Sequence, residues 1–134
     1  LRWMPVCSST EKKLSEWIRE KPILGNEFRA FFAGRQVHGK GQRGRKWHSP
    51  SGGVWLSAAI PYSSNVKSPE LLGLSLAVSL SRHLENHCIP VRIKWPNDLI
   101  VNDRKLVGFL PKLISRGKID LKNKGNWKTF FLEI

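Results

Sequence analysis

Apolar residues recur with two different spacings along this chain, and the changes of spacing mark out its elements. Near the start Leu14, Trp17 and Ile18 follow the helical i, i+3, i+4 period, behind Ser8 and Glu11 in the spacing of a capping box. The pattern predicts a short helix from about Ser9 to Glu20, stopped by Pro22. Glu27 to Gln36, with Phe28, Phe31 and Phe32, predicts a strand, and Gly53 to Ile60 predicts a second one, ended by Pro61. Ser68 as N-cap, Pro69 at the first helical position and Glu70 in the first turn open the best-marked helix, which runs to about Asn86. Leu72, Leu76, Leu80 and Leu84 form its apolar stripe, widened by Leu71, Leu74 and Val78, and the stripe should pack on a sheet. Val91 to Lys94 predicts a third strand, and Leu99 to Val101 with Lys105 to Leu110 predicts a hairpin turning at Asn102-Asp103. Mixed strands and helices with hairpin connections imply an α+β fold, a mixed sheet flanked by helices, rather than an alternating doubly wound sheet.

A length of 134 residues is that of one domain, and 40% hydrophobic residues with six Trp and six Phe supply enough apolar bulk for a core. The longest apolar-rich stretch, Leu71 to Leu80, is interrupted by Gly73, Ser75 and Ser79 and is far short of the roughly 20 residues a bilayer requires, so no membrane association is expected. Two cysteines and no CxxC argue against a disulfide scaffold, and no secretory signal opens the sequence, so a reducing cytoplasm is the expected setting. What changes the picture is charge. With 23 Lys+Arg against 10 Asp+Glu the chain carries a formal +13, which points to anionic partners. Five of those cations lie between Gly34 and Ser49 with no acid among them, in a glycine-rich segment between two predicted strands. Six more lie between Lys112 and Lys128, opposed only by Asp120, in a stretch with little apolar periodicity. The organisation expected is therefore a core over residues 1–110 and a divergent basic tail over 111–134.

Gly39-Lys40-Gly41-Gln42-Arg43-Gly44 fits G-x-G-x-x-G, but the dinucleotide reading fails on context. That unit needs a helix opening at the last glycine and an acid about 20 positions on; Trp47, Pro50, Gly52 and Gly53 follow instead, and the next acid is Glu70. Such a loop can still cradle phosphate through converging backbone N–H groups and interleaved cations, and it can equally be a solvated basic loop. Lys94-Trp95-Pro96-Asn97-Asp98 places an amide and a carboxylate at a turn just after a strand, where they could orient a hydroxyl, an amine or a metal-bound nucleotide; a plain Asx turn opening the hairpin is the simpler account. Lys105 leads into an apolar strand, as a positioned ammonium or any edge-strand lysine would. His83 and His87 stand at i, i+4, but the intervening Glu85 is misplaced for H-E-x-x-H, and no nucleophilic triad can be assembled.

Together these segments are less anonymous. Gly39 to Trp47 (GKGQRGRKW) with Ser49-Pro50 and Gly52-Gly53, then KWPNDL at Lys94 to Leu99, then DRKLVG at Asp103 to Gly108, resemble in order and spacing the catalytic core of biotin–protein ligases, with Ser9-Thr10 at the head of the first helix completing the pattern. The resemblance covers about Val6 to Leu110. It implies an incomplete catalytic domain of the class II aminoacyl-tRNA synthetase/biotin synthetase-like fold. It further implies activation of biotin by Mg-ATP to biotinyl-5′-AMP and transfer to a lysine of the biotin carboxyl carrier protein of acetyl-CoA carboxylase. Biotin and ATP are then substrates, and no enzyme nucleophile is needed.

By the same resemblance Ser9, Thr10 and Gln36 would hold the biotin ureido ring. Gly39, Lys40, Gly41 and Gln42 would close over biotin, Arg43, Arg45 and Lys46 would supply cations for the nucleotide, and Trp47 would wall it. Asn97 and Asp98 would orient the adenylate, with Asp98 a weak Mg2+ ligand. Lys105 would bridge carboxylate and α-phosphate, with Arg45 and Asp98 beside it in the catalytic set. Several positions depart from the family's pattern: Glu11 stands where Asn is common, and Lys40 and Gln42 where Arg is usual. After Leu110 nothing matches the family's G-x-G-x-N segment, and no N-terminal winged helix precedes the core, so no operator DNA binding is expected. The chain reads as a C-terminally truncated ligase with an exposed sheet edge near Phe130-Phe131-Leu132, and a homodimer is compatible with the family. The alternatives are a pseudoenzyme retaining biotin or carrier binding, and a basic nucleic-acid-binding module.

Overall fold

The computed structural model describes residues 1–23, 27–62, 69–115 and 128–133. In chain order it contains β1 (Arg2–Met4), α1 (Thr10–Glu20), β2 (Arg29–Ala33), β3 (Trp55–Tyr62), α2 (Pro69–Asn86), β4 (Arg92–Lys94), β5 (Asp98–Val101), β6 (Arg104–Gly108), β7 (Lys112–Ser115) and β8 (Lys128–Glu133). The strands form a five-stranded sheet in the order β1-β2-β3-β8-β7 and a three-stranded sheet in the order β4-β5-β6. The α+β expectation of a mixed sheet flanked by helices is what is found: β1 runs parallel to β2, and the other neighbours are antiparallel.

The alternation of β2 and β3 separates two cores. Phe31 and Ala59 point to one face, where α1 buries Leu14 and Ile18 against them. Ala30 and Ala58 point to the other, where they meet Ala77 of α2, Leu99 of β5 and Phe109. Small side chains on the sheet let both layers approach closely. On α2 the buried residues are Gly73, Ala77 and Ser81, while Leu76, Leu80 and Leu84 are partly buried against the core. The leucine stripe read from sequence is thus the border of the contact, and Leu71 is exposed.

Other differences have local causes. The cap of α1 is Ser9, whose hydroxyl accepts the Lys12 N–H at 3.1 Å, not Ser8. Glu11 is thereby a first-turn acid rather than the far half of a capping box, and on the next turn Lys13 bonds Glu16 at 2.8 Å and holds that carboxyl below its ordinary range. The second predicted strand does not stop at Pro61. It continues to Tyr62 because β2 ends opposite Ala59, so a residue without an N–H removes no bond on that side. The hairpin turns at Asn102-Asp103 as expected, both with left-handed φ (48° and 60°), the conformation of a two-residue turn that matches strand twist. β1 was not foreseen. Nor were β7 and β8: the stretch read as a basic tail supplies two strands, and Phe130 and Phe131 pair with β3 on one side and β7 on the other while Leu132 pairs with β3, so the expected edge is covered at Phe130 and Phe131. The cap at Ser68 and the cations from Arg116 to Lys124 lie outside the described residues.

Candidate functional site

The segment before α1 runs beside the one after β2. Cys7 N–H donates to Arg35 O at 3.1 Å, Val37 N–H to Cys7 O at 3.0 Å and His38 N–H to Ser8 O at 2.7 Å. This pairing delivers the head of α1 to Gln36. Thr10 N–H donates to Gln36 Oε1 at 2.7 Å and the Thr10 hydroxyl lies 3.1 Å from the same oxygen. With the Thr10 proton so directed, Ser57 is the donor in the 2.7 Å contact between the two hydroxyls. Gln36 Nε2 in turn donates to Ser49 Oγ at 3.0 Å. All four residues are buried. Thr10 and Gln36 are therefore brought together as expected, within a network that leaves one Nε2–H of Gln36 unassigned. The Ser9 hydroxyl, by contrast, serves the helix cap.

The glycine-rich segment is a closed hairpin of its own, not a strand-to-helix turn. Trp47 N–H donates to Gly39 O at 2.9 Å and Gly41 N–H to Arg45 O at 2.7 Å, around a single 3-10 turn, Gln42–Gly44, whose Arg43 and Gly44 have φ of 56° and 74°. Gly39 is obligatory: a Cβ there would lie 2.8 Å from Ser49 Oγ and 2.9 Å from Trp47 O. Lys40, Arg43, Arg45 and Lys46 are exposed. Lys40 to Gly44 face Leu110 to Lys112 across a cleft of about 430 Å³. Lys46 and Trp47 line a second, separate hollow with Arg35, His48 and Ser49. Arg45 turns its Nε toward Gln42 O at 3.4 Å and is not near Lys105 through any contact described.

Trp47 also touches the third group. Lys105 Nζ lies 4.5 Å above its ring and 2.7 Å from Asp98 Oδ1. That oxygen is buried and makes no hydrogen bond among the described residues, so the ammonium meets it as an ion pair only. Gly108 is the floor of this cluster, since a Cβ on it would lie 2.4 Å from Trp47 Cη2 and 2.6 Å from Lys105 Cε. Asn97 faces away from the group: its Nδ2 donates to Phe109 O and its carbonyl accepts the Phe109 N–H, both at 2.7 Å, which fixes the start of β5 against the end of β6.

Ser57, Ser49 and Gly108 were not singled out as site residues. Ser57 sits in GVWLSAAI, where nothing in the sequence marks an inward hydroxyl, whereas Ser49 and Gly108 lie inside motifs already noted. Among the described residues no group of three His, Cys, Asp or Glu side chains could hold a metal.

The mixed sheet thus carries a buried Thr-Gln-Ser network, a cationic glycine hairpin and a lysine stacked on tryptophan. Comparison with known proteins sharpens this. Residues 3–122 match the model of the Biotin/lipoate A/B protein ligase family, and the chain belongs to that family. It is 34% identical over 110 residues to the Bifunctional ligase/repressor BirA of Bacillus subtilis, covering 81% of this chain and 33% of that protein. Against the protein of the same name from Escherichia coli it is 35% identical over 115 residues, covering 84% and 35%. A solved biotin protein ligase from Aquifex aeolicus, in complex with biotin and ATP, superposes with a TM-score of 0.70 at 28% identity, over 98% of this chain and 50% of that one. The chain thus spans about a third of the length of the curated relatives it matches.

Proposed function

We propose that this chain is the part of a biotin–protein ligase that binds biotin and activates it with ATP. The observation that carries the reading is one unbroken line of contacts, Thr10–Gln36–Ser49–Trp47–Lys105–Asp98, which joins a buried hydrogen-bonding end to a cationic end beneath the glycine hairpin. On this reading the biotin ureido ring docks at the first end, where the unassigned Gln36 N–H and the Thr10 hydroxyl can exchange internal bonds for bonds to it. The carboxylate then reaches Lys105. One carboxylate oxygen attacks the α-phosphorus of ATP, the bond to the bridging oxygen of the β-phosphate breaks, and pyrophosphate leaves. The ε-amine of a lysine on a biotin carboxyl carrier protein then attacks the acyl carbon, AMP departs and the amine loses a proton.

The chemistry asks mainly for two anions to be held together, and a preset ammonium does that without reorganising. Asp98 aims that ammonium and Trp47 supports it. Lys40, Arg43, Arg45 and Lys46 are the mobile-charge reserve for the phosphates. Among the described residues a resident Mg2+ does not fit, since a single carboxylate already paired with lysine is no octahedral cage, and Mg2+ would enter as the counter-ion of the nucleotide. Asn97 acts by holding β5 on β6. A reducing cytoplasm suits the enzyme and its buried Cys7.

Thermal shift with biotin, then with biotin plus ATP, tests the reading, and stabilisation by neither would sink it. Lys105→Ala should abolish biotin-dependent pyrophosphate release while the melting curve stays cooperative; wild-type release from that variant would remove Lys105 from its role.

A further inference from the structure

Lys112 opens β7 on the wall of the 430 Å³ cleft that faces the glycine hairpin. Its Nζ lies 2.8 Å and 2.7 Å from the two carboxylate oxygens of Glu11, in the first turn of α1. This contact bridges elements 101 positions apart and leaves both side chains partly exposed, 39% for Lys112 and 26% for Glu11. None of the described residues lining the cleft is acidic. Glu11 reaches in from α1, adjacent to Thr10.

Resting on the reading above, we infer that Glu11 is a positioning residue that neutralises Lys112 so that the substrate carboxylate is drawn to Lys105. Lys105 lies outside the lining of this cleft and Lys112 on its wall, so an unneutralised Lys112 would be a second ammonium able to compete for the substrate carboxylate. A carboxylate held by Lys112 would be bound but misplaced, and misplacement of a reacting group lowers turnover rather than affinity. Chelated by both oxygens of Glu11, Lys112 presents no net charge. The cations of the hairpin remain for the phosphates, and Lys105, whose Asp98 contact lacks hydrogen-bond geometry, remains for the carboxylate.

The test compares the wild-type chain with Glu11→Gln, Lys112→Met and the double variant. Biotin affinity and biotin-dependent pyrophosphate release are measured for each, with biotinamide, which lacks the carboxylate, as the control probe. Glu11→Gln should bind biotin at least as tightly as wild type yet turn over about fivefold more slowly, the scale of one partly exposed ion pair. Biotinamide binding should not change, and the double variant should recover wild-type turnover, since removing the stray ammonium removes the competitor. Unchanged turnover in Glu11→Gln, or no recovery in the double variant, overturns the proposal while leaving the ligase reading in place. A wild-type chain that neither binds biotin nor releases pyrophosphate overturns both, and is recognised because no variant then differs from it.

Discussion

Single residues set the geometry on which activation would depend, and Gly108 illustrates how little room they leave. The nearest atoms to a Cβ at that position are the outer edge of Trp47 and the end of Lys105, at 2.4 Å and 2.6 Å. Both belong to side chains that can swing aside, so Gly108→Ala should keep the fold and displace the ammonium. We expect biotin-dependent pyrophosphate release to fall by about ten- to a hundredfold, the larger figure being the cost a 1 Å misplacement can reach, with a melting temperature close to wild type. Full activity in that variant would mean that the Trp47–Lys105 stack is not the working arrangement. The Thr10–Gln36–Ser57–Ser49 network obeys the opposite logic. Its residues are buried and joined by hydrogen bonds that leave one Gln36 Nε2–H over, so the network is held in place before any ligand arrives.

At the scale of elements, α1 has two duties, since its first turn carries Thr10 and Glu11 while its buried face holds the helix on the sheet. Leu14 and Ile18 are fully buried against Phe31 and Ala59. Leu14→Ala should therefore cost about 2–5 kcal/mol in chemical unfolding, and with it the position of Thr10. A loss below about 0.5 kcal/mol, typical of surface positions, would show that α1 is not anchored there. The hairpin of β5 and β6 has a similar double use. Its turn at Asn102-Asp103 fixes the register that sets Asp98 opposite Gly108, and a bulge between Leu99 and Ile100 lies between the turn and the site. Lys105 pairs with Ile100 in that register and turns back along the strand to reach Asp98.

For the whole molecule, the +13 charge is a field as well as a set of contacts. Non-specific attraction to polyanions should fall steeply as salt rises, whereas biotin, held by buried hydrogen bonds and one ammonium, should stabilise the chain with little salt dependence. Titrating single-stranded nucleic acid and biotin in parallel at low and high salt checks this; nucleic-acid binding that falls steeply with salt, in a chain that biotin does not stabilise, would favour the basic-module alternative. The fold class, α2 and the Asn102-Asp103 turn were legible in the sequence because local period, Pro and Asn-Asp placement act over a few residues, whereas the glycine-rich loop closes into a hairpin only through its own backbone pairing. Family resemblance likewise rested on contiguous motifs. What lay beyond reach was pairing between distant segments. β1 is three residues long, and β7 and β8 sit in a stretch whose charges mask any period, so only the partners β2 and β3 make them strands. Ser57 looks like a strand residue of either face until Thr10 closes on it, and Glu11 looks like a helix-dipole acid until Lys112 arrives from the far end of the chain. The sequence determined which chemistry was present; the tertiary structure decided which groups meet, because ion pairs and hydrogen bonds act within a few ångströms and the chain brings residues 101 positions apart to that distance only by folding.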